Sequence, residues 1–92
     1  MPAYIALVRK EPGSDYGVDF PDFPGCITAG RDLEEARTLA EEALCFHIEG
    51  MLEDGEPLPR ASRFEDIMSD PANRGSVALL VETSERLTRK SA

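Results

Sequence analysis

Basic side chains are scarce in this sequence. Ten lysines and arginines face eighteen aspartates and glutamates over 92 residues, a formal net charge of −8. Such a chain repels a phosphate backbone as a whole, so nucleic-acid binding is excluded as its main activity and a basic protein partner suits the charge better. Long apolar runs are missing too: none approaches the ~20 residues needed to span a bilayer, and a soluble protein with no membrane association is expected. Cysteine occurs twice, at Cys26 and Cys45, without the short spacing of a metal site. With no secretory signal pattern, these thiols are expected to stay reduced in the cytoplasm. Histidine occurs once, at His47, so a Ser/His/Asp set has a single imidazole to draw on.

What is present centres on residues 16–30. Tyr16, Val18 and Phe20 alternate with Gly17 and Asp19, the period of a strand with one buried face, and Ile27 and Ala29 are expected to continue that alternation after a break. Pro21 and Pro24 remove two backbone donors, so residues 20–25 project from the sheet edge with Phe23 at the tip. An apolar ring on a stiff connector is either a lid on the core or a contact for something else.

The connector leads into a long helix. Asp32 has the identity of an N-cap, with Glu35 three residues on as its capping-box partner. Gly55 supplies a left-handed cap after Asp54, and Pro57 prevents continuation. At 100° per residue, Leu33, Ala36, Ala40, Leu44, His47, Ile48 and Met51 share one broad stripe that packs on the sheet. A lone His47 on that stripe reads as a core imidazole rather than a ligand or base. The stem of Arg37 is expected to lie along the surface with its guanidinium in water. Leu39 and Phe46 fall on the opposite face, among glutamates. Either they meet a partner or a second subunit, or residues 57–70 fold back over them.

The remaining chain completes a single domain. Residues 3–8 form an apolar run of strand length, and the turn formers Pro12, Gly13, Ser14 and Asp15 join it to the next strand as a hairpin. Ser62 and Glu65 suggest a second capping box ahead of a short helix carrying Phe64, Ile67 and Met68. Residues 76–82 read as a fourth strand, reached by a helical crossover and therefore expected to lie parallel to the first. The fold class is α+β, ordered β-β-β-α-(α)-β, with a mixed four-stranded sheet of order 3-2-1-4 and one long helix on one face. Residues 1–83 form the domain, and residues 84–92 are read as a polar, frayed tail.

Tyr16-x-Val18-x-Phe20-Pro21-Asp22-x-Pro24-Gly25-Cys26-x-Thr28-x-Gly30, followed by Leu33-Glu34-Glu35-Ala36 and a helix ending Glu49-Gly50-Met51-Leu52-Glu53-Asp54-Gly55, resembles the HicB family of antitoxins over roughly residues 3–82. The resemblance implies a partial ribonuclease-H-like fold. It also implies a domain that binds and blocks a small basic HicA-type mRNA endoribonuclease, and assembly as dimers or higher oligomers. Antitoxins of this kind usually continue into a ribbon-helix-helix or helix-turn-helix module. The sequence stops at Ala92, where such a module would start, so operator DNA binding is not expected of this chain.

No enzyme is read here. Ribonuclease-H-like hydrolysis needs three or four carboxylates converging on two metal ions, one of them usually on the first strand, and residues 3–8 carry no acid. The other acids are scattered over turns and wet helix positions, so neither metal nor cofactor is expected. Candidate partner contacts are Asp19, Asp22 and Phe23 on the connector, and Glu42, Phe46 and Glu49 on the helix. Leu39 and Phe46 are the candidate oligomer contacts. The alternative is a stand-alone regulatory module that holds a small molecule between helix and sheet, which would need convergent polar groups in a pocket.

Overall fold

In a computed structural model that describes residues 3–83, three strands run as an antiparallel meander: β1 (Ala3–Lys10), β2 (Tyr16–Asp19) and β3 (Ile27–Gly30). The long helix α1 (Leu33–Glu53), a short helix α2 (Phe64–Met68) and a 3-10 turn (Pro71–Asn73) follow, and β4 (Val77–Glu82) closes the sheet in the order β3-β2-β1-β4. The α+β class, the element order and the strand order agree with the sequence reading. The frayed tail expected at residues 84–92 lies outside the described residues.

The sheet is antiparallel throughout, not mixed: β4 pairs antiparallel to β1, with Val8 opposite Val77 and Ala3 opposite Glu82. The crossover explains the reversal. Helix α1 carries the chain back to the end of the sheet where β1 starts, and there the Tyr4 hydroxyl donates to the Pro59 carbonyl at 2.7 Å. The chain then retraces the length of the sheet before entering β4. At the far end, Arg9 donates to the Ala72 carbonyl and to Asn73 Oδ1, each at 2.9 Å. A crossover of helix alone would have delivered a parallel strand. This one also includes a return pass.

That return pass crosses the face of the sheet opposite α1. Arg9 points to this face and pairs with Asp19 at 2.9 Å as well as with the 3-10 turn. Leu7 and Ile67 are buried but stand apart from the main core cluster. The main core lies on the α1 side. It gathers Tyr4, Ala6, Val8, Val18, Phe20, Phe23, Cys26 and Val81 from the sheet and connector, and Ala36, Ala40, Leu44, Cys45 and Ile48 from the helix.

The expected phase of β3 is reversed. Val18 pairs with Thr28 and Tyr16 with Gly30, so the positions facing α1 are Cys26, Thr28 and Gly30, and Ile27 is left 71% exposed on the other face. Paired residues share a face, and the connector holds an odd number of residues between Phe20 and Cys26, whose backbones are hydrogen-bonded. The inward residues are small for a reason. A Cβ on Gly30 would collide with the backbone of Ala36 in the first turn of α1, so only glycine admits the helix this close to the strand.

Both ends of α1 are closed as the sequence suggests. Asp32 accepts the Glu35 amide at 2.8 Å. The reciprocal bond of the expected capping box is displaced by one residue: Glu35 accepts from the amide of Arg31 rather than of Asp32, at 2.9 Å. At the other end Gly55, with φ +73°, donates to Leu52 O while Glu56 donates to Met51 O, a Schellman closure. The second capping box does not form: α2 has no side-chain cap, because Ser62 is engaged elsewhere.

Substituting Gly30→Ala should destabilise the domain by about 1–3 kcal/mol through overpacking against α1. Ala29→Val, on the exposed face one residue earlier, should change stability far less. Urea unfolding midpoints of the two variants check this.

Candidate partner-binding surface

Two groups of residues were singled out as contacts, one on the connector and one on the outer face of α1. The structure places them in different environments.

The connector is a pair of linked turns. Phe23 donates to Phe20 O at 3.0 Å and Cys26 donates to Phe23 O at 2.9 Å, with Pro21 and Pro24 each at the second position of its turn. Gly25, at φ +90°, supplies the left-handed position that follows Pro24. Folded this way, the connector tips inward. Phe23 is 1% exposed, its ring edge-on to Tyr4 at 4.6 Å and to the half-buried His47 at 5.6 Å. Of the two readings open for Phe23, the structure shows the lid on the core. The ring does not project from the sheet edge.

The acids beside it have structural partners. Asp22 accepts from the Ser62 amide at 2.9 Å and from the Ser62 hydroxyl at 2.5 Å, which fastens the connector to the crossover. Asp19 is paired with Arg9. Burial, and then the Asp22 carboxylate, push the Tyr4 phenol above its ordinary 10.0. Burial likewise pushes the Cys26 thiol above its ordinary 9.0. These shifts accompany packing against the core, where Tyr4 and Cys26 are both buried.

The outer face of α1 is different. Phe46 is 77% exposed, and residues 57–70 do not fold over it. On a helix, Glu42, Glu49 and Glu53 are its neighbours at four residues before and at three and seven after. Leu39, half-buried, lies on the same side two turns earlier. Gly50, one turn on, has open space where a side chain would stand. A glycine inside a helix costs about 1 kcal/mol relative to alanine, and no internal packing requires it here. The result is an exposed aromatic ring on a scaffold of 21 residues, flanked on one side by the exposed Glu42 and Glu53 and by the half-buried Glu49, whose carboxylate accepts from the Cys45 thiol at 3.6 Å.

Some exposed apolar positions escaped the sequence reading. Leu33, expected on the packed stripe, is mostly exposed. It hangs with Glu34 and Arg37 over an open groove of about 410 Å³ whose floor includes Ala6, Val8, Val18 and Leu79. The groove exists because α1 lies over β3 and β2 and only grazes β4. Its lining is apolar apart from Glu34 and Arg37, which is not the convergent polar set that a small-molecule site requires. Val77 and Leu80 on β4 are also exposed, and an edge strand that reads as fully apolar was the available signal.

Among the described residues, no three histidine, cysteine or acidic side chains gather as a metal site. No described helix is long and apolar enough to cross a membrane.

Comparison with known proteins agrees with this architecture. Residues 4–92 match the family described as HicB_like antitoxin of bacterial toxin-antitoxin system. The crystal structure of the Burkholderia pseudomallei antitoxin HicB superposes with a TM-score of 0.84 at 32% identity, over 95% of this chain and 67% of that one. A chain of the HicA3 and HicB3 toxin-antitoxin complex superposes with a TM-score of 0.74 at 29% identity, over 90% of this chain and 99% of that one. A 14.9 kDa protein of Haemophilus phage HP1 is 45% identical over 67 residues, which are 73% of this chain and 50% of that protein. The chain thus spans half the length of the phage relative.

Phe23→Ala should cost about 3–5 kcal/mol, as for a fully buried aromatic, whereas Phe46→Ala should leave the unfolding midpoint nearly unchanged. Chemical denaturation of both variants separates lid from surface. The raised Tyr4 pKa means that the fold holds the neutral phenol. Its contribution is complete below pH 10.0 and lost as pH rises through the folded-state value. Stability should therefore fall on the alkaline side more steeply in the natural chain than in Tyr4→Phe, as read by thermal unfolding across pH.

Proposed function

The chain belongs to the HicB-like antitoxin family of bacterial toxin-antitoxin systems, and on that premise we propose that it binds a HicA-type mRNA endoribonuclease and inhibits it by covering the RNA-binding face. One observation carries this reading: the 77% exposed Phe46 set among Glu42, Glu49 and Glu53 on the outer face of α1. A ribonuclease of this kind presents basic side chains to RNA, and an acidic helix face is their electrostatic complement. The ring supplies what the carboxylates lack, a desolvated aromatic anchor at the centre of a charged patch. Gly50 leaves room beside that anchor for a partner's side chain.

This division of labour gives the acids a role without catalysis. They attract and orient, and they occupy the positions that phosphates would take on the toxin. A net charge of −8 would raise the rate of encounter and make it fall with added salt, while the close contact at Phe46 would govern dissociation. The partner surface is then the outer face of α1 with Glu42, Phe46 and Glu49 at its centre. Asp19, Asp22 and Phe23 contribute by holding the connector and the core beneath it.

Isothermal titration of the domain into a HicA-type ribonuclease, alongside an RNA cleavage assay, tests the reading. Tight association with loss of cleavage is expected, weakening as salt rises. Phe46→Ser should weaken binding at least tenfold, about 1.4 kcal/mol or more, while leaving the fold intact. Gly50→Ala should stabilise the helix by up to about 1 kcal/mol and yet weaken binding. Absence of association at low salt would refute the proposal.

A further inference from the structure

The bare position at Gly50 has neighbours of two different chemistries. Phe46, Gly50 and Asp54 form one row of residues four apart on α1 and its C-cap, and the glycine is the gap in that ridge. A Cβ built on Gly50 would meet nothing within 4 Å. One turn back stand the exposed Phe46 ring and the half-buried His47, whose own ring lies edge-on to Phe23. One turn on stand the exposed carboxylates of Glu53 and Asp54. The last turn of the helix holds no basic residue, so no cation within it offsets the partial negative charge of the helix C-terminus. The gap therefore has an aromatic wall at one end and a negative wall at the other.

We infer that this gap receives an arginine side chain of the basic partner, its guanidinium laid on the Phe46 ring and its donors turned to Glu53 and Asp54. Chemistry decides between occupants. An apolar side chain would strip water from the two carboxylates and give them no partner. A lysine would answer the charge, but its compact and strongly hydrated ammonium has no flat face to lay on a ring. A guanidinium has both a face that stacks on an aromatic and a fork of donors that fits a carboxylate. Gly50 is then accounted for, because a side chain there would stand where the stem of the arginine crosses the helix. The inference rests on the outer face of α1 being the partner surface. It adds the identity of the group received, and it adds Asp54 as a contact.

Nuclear magnetic resonance of a HicA-type ribonuclease, nitrogen-labelled at its arginines and titrated with the unlabelled 92-residue chain, tests it. One arginine Nε–H signal should move upfield under the ring current of Phe46 and exchange more slowly with water. With Phe46→Leu that shift should vanish, and Asp54→Asn should weaken the complex about two- to fivefold. Replacing that one arginine with lysine should weaken binding to the natural chain about fivefold, and binding to Phe46→Leu far less. Both substituted positions in the domain are exposed, so circular dichroism of the variants should match the natural chain; the signal in the natural complex and the lysine exchange decide if it does not. Should no complex form, the reading of the helix face and this inference fall together. A complex in which no arginine signal moves, or in which the shift persists with Phe46→Leu, would overturn the arginine and leave the reading of the face standing.

Discussion

The close approach of α1 to β3 is the constraint on which the rest of this structure depends. It is possible because Gly30 presents no Cβ to the backbone of Ala36, and it places the helix over β3 and β2, away from the middle of the sheet. Three consequences follow from that off-centre seat. The buried stripe becomes Ala36, Ala40, Leu44, Cys45 and Ile48. The helix-side surface beside β4 is left uncovered as an apolar groove. Phe46 is turned fully outward among glutamates. A bulkier residue at position 30 would lift the first turn of the helix and disturb all three.

Much of this was legible in the sequence because the informative residues act locally. Asp32 and Gly55 mark the ends of α1 through caps that need only neighbouring backbone. The alternation of Tyr16, Val18 and Phe20 follows from a two-residue period. Long-range relations were less visible. The parity of the connector reversed the phase of β3, and hydrophobicity misled there because the inward positions needed to be small rather than greasy. The direction of β4 depended on how far the crossover travels after α1, which the tethers from Tyr4 to Pro59 and from Arg9 to Asn73 reveal. Ser62, which looked like a cap, serves Asp22 some forty positions away. No local pattern carries that pairing.

The acids divide in the same way. Asp19 and Asp22 belong to the architecture, one bound to Arg9 and the other to Ser62. Glu42 and Glu53 stand exposed on the same side of α1 as an aromatic side chain that the fold itself does not bury, and Glu49 beside them also accepts from the buried Cys45 thiol. Carboxylates spread along one helix face can meet an array of cations on another protein. In this account the acidic helix face is the surface offered to a basic partner.

The central claim, that the outer face of α1 is the surface this antitoxin-family domain offers to a ribonuclease, is tested most directly by amide chemical-shift mapping. A labelled domain would be titrated with an unlabelled HicA-type toxin. The account predicts perturbations concentrated between Leu39 and Glu53, with β4 and the Phe20 to Cys26 connector little changed. Perturbations centred on the connector or on β4, with the helix face silent, would contradict it.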